Sequence, residues 1–207
     1  MTETPGSLAR DRVREARRLA LIEAAEQVFA ERGFAGATMA EIAARAGYSA
    51  GNLYNVFEGK EALFRAVVRS RGQLLLERLE DALAGISRLR DKIDAFVQAL
   101  ISFVEEHWAF FAIYLQTTSG FTWNTGRLGQ DALELQSILE REVTTALEGA
   151  IESGEIAPED PELYACLLLG TLQRYVARWG GDGGTSEDLW RRAEPLSRML
   201  ARAMGGG

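Results

Sequence analysis

The sequence predicts an all-α fold, on three observations. Apolar residues recur at three- and four-residue spacing through most of the 207 residues. No stretch alternates with period two between hairpin turns. Glycine, proline and asparagine fall at helix-length intervals, where they act as stops.

Residues 1–13 are polar, contain Pro5 and Gly6 and show no periodicity, so a flexible arm is expected there. Over 14–32, Leu21, Ile22, Ala25, Val28 and Phe29 share one helical face, and Gly33 supplies a stop. Thr38 and Glu41 read as a capping box opening a short helix to about Ala46. Gly47 turns the chain, and Ser49 caps a second short helix to about Phe57. A long helix to about Ala84 follows from Glu58 or Gly59. Further helices are expected over 89–106, 108–118, 127–153, 161–179 and 186–204.

Two short helices joined by a glycine turn form a helix-turn-helix. Ile42, Ala46, Leu53 and Val56 are apolar where the pair must face each other, and Ala43 is small where they pass closest. Ser49, Ala50, Gly51, Asn52, Tyr54 and Asn55 are left facing outward. Small residues let a helix end approach a duplex, and an asparagine amide both donates and accepts, as base-edge reading requires. The helix starts at Ser49 and Thr38 offer amides to phosphate, and Lys60 adds a cation. The weak helix propensity of this stretch is the cost of shallow groove access.

The run from about Arg17 to Val67 resembles the DNA-binding domain of the TetR family of bacterial transcription regulators. The resemblance rests on "AAEQVFAERGF", on "T-x-x-E-I-A-x-x-A-G" and on "LYNVFEGKEALF". It implies phosphate contacts from Thr38, Ser49, Tyr54 and Lys60, and base-edge contacts from some of Ala50, Gly51, Asn52 and Asn55. Beyond residue 85 it is looser, carried by "HWAFFAIYL" and "DPELYACLLLGTLQRYVARW". It further implies a homodimer on double-stranded operator DNA, acting as a repressor released by a small-molecule effector. Met39 departs from the family's usual Thr or Ser. Three segments are thus expected: the arm at 1–13, a helix-turn-helix domain at 14–60, and an effector-binding and dimerisation domain at 61–207.

Aromatic side chains crowd the middle of that last segment. Phe103, His107, Trp108, Phe111, Tyr114, Phe121, Trp123 and Tyr175 are the expected lining of an apolar pocket for an apolar or aromatic effector. His107, the only histidine, also reads as a helix-junction residue. On the 161–179 helix, Leu163, Cys166, Leu167, Gly170, Leu172 and Val176 cover more circumference than one stripe. With Leu196 and Leu200 from the last helix they are the expected dimer interface, around a two-fold axis.

Charge divides the chain in the same way. Net charge is −7, while residues 1–60 carry eight Lys/Arg against eight Asp/Glu, so the whole deficit lies in 61–207. A protein that coats nucleic acid indiscriminately is excluded by that balance. Among the 1–60 cations, Arg10, Arg12, Arg14, Arg45 and Lys60 are the expected phosphate partners. The near-zero charge keeps open a second reading, an interaction module that has lost DNA binding. One histidine and one cysteine cannot fill a zinc or di-iron site, so no metal or cofactor is expected. No phosphate-cradling glycine loop follows a strand, and no catalytic set is present, which argues against an enzyme. No apolar run reaches the roughly 20 residues of a membrane span. A single cysteine, Cys166, fits a reducing compartment, the cytoplasm.

Overall fold

The computed structural model describes residues 5–118 and 127–205, which form ten helices. These are α1 (Pro5–Gly36), α2 (Met39–Arg45), α3 (Ala50–Tyr54), α4 (Lys60–Leu83) and α5 (Leu89–Glu106). They continue with α6 (Trp108–Thr118), α7 (Arg127–Glu152), α8 (Pro161–Gly181), α9 (Ser186–Arg191) and α10 (Ala193–Ala203). No strand occurs among the described residues.

Helix α1 starts earlier than its apolar face. Residues 5–13, expected as a flexible arm, are helical, with Pro5 at the first helical position, where its missing N–H costs nothing. The predicted face is buried: Leu21, Ile22, Ala25 and Val28 are inaccessible and Phe29 nearly so. Gly33, at φ 67°, breaks the helix. The break turns Phe34 back onto Phe29 and Phe64, with ring centroids 5.8 and 5.3 Å away. This aromatic cluster ties α1 to the start of α4.

Only half of the expected capping box forms. The Thr38 hydroxyl accepts from the Glu41 amide at 3.2 Å, but the Glu41 carboxylate turns to Arg32, 3.4 Å away. The last predicted helix is two. Pro195 has no N–H, and its ring excludes the carbonyl four residues back, so α9 ends at Arg191 and α10 begins at Ala193.

Helix α4 spans both halves of the molecule. Its first turns bury Leu63, Phe64 and Val67 against α1, and its last turns bury Leu75 and Leu79 among α5 and α7. Gly72 lets α7 come close, since a Cβ there would stand 3.0 Å from a Leu135 methyl. Helices α5 and α6 meet at a sharp corner at His107, whose φ/ψ of −122°/38° leaves the helical region. No single helix among the described residues is long and apolar enough to cross a membrane.

Candidate nucleic-acid interface and effector cavity

Helices α2 and α3 form the expected helix-turn-helix. Gly47, at φ 76°, makes the turn, and the Tyr48 amide donates to the Ala43 carbonyl at 2.8 Å. Ile42, Ala43 and Leu53 are inaccessible, so the crossing is fixed by apolar contact, with Ala46 and Val56 partly buried beside it. The Ser49 hydroxyl accepts from the Asn52 amide at 3.3 Å, capping α3. Helix α3 is shorter than expected, ending at Tyr54, because the chain leaves through Phe57, whose side chain is buried.

The outward set stands where the sequence placed it. Ser49, Gly51, Tyr54 and Asn55 are exposed, Tyr54 at 56%, and Ala50 and Asn52 are half-exposed. Thr38 is exposed at the start of α2. Lys60 is different. Its ammonium donates to the carbonyls of Ala35 (3.2 Å) and Ala37 (2.9 Å) and lies 4.7 Å from the centre of the Phe34 ring. It therefore holds the α1–α2 loop to α4. Arg45, also expected to meet phosphate, makes two hydrogen bonds to the Glu31 carboxylate at 2.5 and 2.8 Å. Both cations spend donors inside the domain, which the sequence could not reveal because their partners lie 14 or more residues away.

Among α4, α5, α7 and α8 lies an apolar cavity region of two neighbouring chambers. The larger, about 480 Å³, is lined by Leu76, Leu83, Leu89, Ile93, Val143 and Leu147, among others. The smaller, about 240 Å³, lies under α6 and is lined by Leu75, Leu100, Phe110, Phe111, Tyr114 and Leu172, among others. Leu79, Phe96 and Leu139 border both. Of the eight residues expected to line the effector pocket, Phe111 and Tyr114 line this cavity.

The others are displaced for identifiable reasons. Phe103 is inaccessible, packed against His107 and Phe110, with the Arg78 guanidinium 5.6 Å from its ring. Trp108 stacks edge-on against Trp179 and fills the space over Gly180. The Tyr175 hydroxyl donates to the Leu189 carbonyl at 2.6 Å and secures α9. His107 sits at the α5–α6 corner and lines neither chamber. Phe121 and Trp123 lie outside the described residues. The aliphatic lining of α4, α5 and α7 was missed. Its four-residue spacing on α7 signals a buried face but not that the space in front of it is empty.

The sequence profile described as bacterial regulatory proteins, tetR family, matches residues 21–67. The transcriptional regulator RutR from Escherichia coli O157:H7 is 30% identical over 177 residues, covering 81% of this chain and 77% of RutR. The chain belongs to the TetR family of bacterial regulatory proteins. Two solved structures share its fold. FadR from Bacillus subtilis, in complex with stearoyl-CoA, superposes with TM-score 0.77 at 22% identity, covering 88% of this chain and 96% of that one. AibR, in complex with isovaleryl coenzyme A and operator DNA, superposes with TM-score 0.71 at 24% identity, covering 89% and 97%.

In this TetR-family regulator the two halves are joined by a buried ion pair. Glu26 on α1 accepts from Arg71 Nε on α4 at 2.7 Å, and its other oxygen accepts the Phe110 amide of α6 at 3.2 Å. That amide is one of the donors a helix start leaves unpaired. His107, beside them, is held below its ordinary pKa by burial first and then by the Arg71 charge. Its Nε2 is buried without a hydrogen-bond partner.

The regulator's α8 carries an uncovered face. Leu163 is 67% exposed and Leu167 38%, with Cys166 and Gly170 also exposed, and Met199 of α10 is 55% exposed. Three residues expected on that face turn inward instead. Leu172, Val176 and Leu200 are at most 1% exposed, because α5, α7 and α9 pack on that side. Leu196 is half-buried.

Proposed function

We propose that the protein is a homodimeric repressor that leaves a pseudo-palindromic operator when an apolar small molecule fills the cavity. One observation carries this reading: α4 is a single continuous helix that enters the core of the reading domain at Phe64 and lines the cavity at Leu75, Leu76, Leu79 and Leu83. Any ligand that shifts those leucines levers the helix-turn-helix. Through Glu26, α6 is attached to the same lever.

Ser49, Tyr54 and Thr38 take phosphates in this reading, and Ala50, Gly51, Asn52 and Asn55 face base edges. Lys60 offers its remaining donor at the same surface. The exposed leucines of α8 pair the subunits, so the two α3 helices meet half-sites about 34–36 Å apart or a multiple of that. To move the operator from nearly full to nearly empty, the effector must prefer the released state by about 5.5 kcal/mol. The complexes of FadR with stearoyl-CoA and of AibR with isovaleryl coenzyme A and operator DNA support an apolar effector. A DNA-bound regulator of this kind works in the cytoplasm, binding rather than catalysing.

Fluorescence anisotropy on DNA upstream of the gene tests the proposal. Binding should be tight and reversed by a cavity ligand. Failure to bind any upstream segment would leave only an interaction module.

A further inference from the structure

We propose that the first turns of α1 are a second DNA-contact element, a rigid helical arm whose Arg10, Arg14 and Arg17 lie along the phosphates flanking each half-site. The inference rests on the operator-binding reading above and extends its interface beyond the helix-turn-helix.

The arm stands clear of the domain. Every residue from Arg10 to Ala16 is exposed, so the domain covers no side of these two turns. They are helical because the packed turn at Leu21 and Ile22 supplies the nucleus, and each further residue then adds a hydrogen bond at little cost. Charge is concentrated there as well. Residues 10–18 carry five arginines against Asp11 and Glu15, although residues 1–60 balance to zero. A duplex backbone, with one phosphate per about 3.4 Å of each strand, is the partner such a rod fits.

Helical spacing sorts the arginines. Arg10, Arg14 and Arg17 fall at steps of four and three and share one face, which Leu21 continues. Leu21 is inaccessible, so the row lies on the side of α1 that the domain covers further along. The Arg17 guanidinium is 5.5 Å from the centre of the Tyr48 ring, and Tyr48 directly precedes Ser49, the N-cap of α3. The row therefore starts beside the reading helix and runs outward for about 10 Å, the axial length of about three phosphates on one strand. Arg12 falls on the opposite side of the helix. Arg18 leans on Phe57, 5.9 Å from the ring centre, and pairs with Glu15 at 3.5 Å.

The row keeps charge for an outside partner. Neither Arg14 nor Arg17 forms an ion pair among the described residues, and Arg17 Nε is buried with no hydrogen-bond acceptor. Lys60 and Arg45, by contrast, spend donors inside the domain. A guanidinium already held over a ring gives up less side-chain freedom when a phosphate arrives.

Anisotropy titrations of the full-length protein on the upstream duplex that it binds, from about 50 to about 200 mM salt, test the arm. Arg14→Ala should lower the salt slope by about one per half-site, and Arg14→Ala/Arg17→Ala by about two. Arg12→Ala removes the same charge from the opposite face and should leave the slope as in the parent. Trimming the duplex to its two half-sites should weaken the parent and leave the double variant unaffected. Arg14 is exposed, so Arg14→Ala should keep the parent's melting temperature, which separates a lost contact from a lost fold. An equal drop in slope for Arg12→Ala overturns the one-sided arm. Parent slopes in the Arg14→Ala and double variants, or indifference of the parent to trimming, overturn the contact and leave the operator reading standing. If the parent binds no upstream duplex, both fall.

Discussion

The Glu26 carboxylate and the Arg71 guanidinium meet at 2.7 Å with their side chains only 7% and 12% exposed. The pair joins the first helix of the reading domain to the helix that lines the cavity. Breaking a buried pair from one side strands the other charge, at about 3–5 kcal/mol. Glu26→Gln should therefore lower unfolding stability by that order in urea denaturation. Glu26→Leu/Arg71→Met should regain much of it, yet respond more weakly to the effector in operator-release assays. A full response in the double variant would show that the pair only holds the fold.

Tyr54→Phe removes an exposed hydroxyl and should weaken operator binding by about 1 kcal/mol, whatever the base sequence. Lys60→Ala should also weaken binding broadly and reduce the salt slope by about one. Because Lys60 holds two carbonyls, its melting temperature should drop as well. A lower melting temperature with an unchanged salt slope would confine Lys60 to that structural task.

Gly180→Ala should displace Trp108. The added methyl would stand 1.7 Å from the indole, so the ring must move off Trp179. A cost of about 1–3 kcal/mol is expected, with a shifted tryptophan emission spectrum. An unchanged spectrum and stability would mean that α6 and α8 are looser at this contact than described.

Acid should destabilise the protein through His107. The unfolded ring titrates near 6.5 and the folded ring lower, chiefly because it is buried, so the unfolded chain binds more protons as pH falls. Stability is whole above about pH 6.5, declines below it, and stops declining from this source under the folded value. His107→Gln should flatten unfolding free energy across that window. The same slope in the variant would assign the acid sensitivity to other groups.

Leu167→Glu places a charge on the exposed face of α8. Sedimentation should show a monomer where the parent is a dimer, and operator affinity should collapse because paired half-site contacts are lost. A variant that still sediments as a dimer would move the interface elsewhere.

Local signals carried much of the fold. Helix periodicity, the caps at Thr38 and Ser49 and the turn at Gly47 are contacts within a few residues, so they are legible in the chain itself. The outward positions of α3 follow from the same periodicity, since Leu53 can point only one way. The split at Arg192 is equally local, since it follows from Pro195.

What only the tertiary structure decided depends on partners far apart in sequence. Lys60 and Arg45 looked free for phosphate until Ala35, Ala37 and Glu31 arrived beside them. Phe103, Trp108 and Tyr175 looked like pocket walls, yet each fills a helix junction, while leucines of α4 and α7 surround the space. Sequence determines which face of a helix is apolar; whether another side chain or a void meets that face depends on how several helices cross, and a cavity is the volume those crossings leave unfilled.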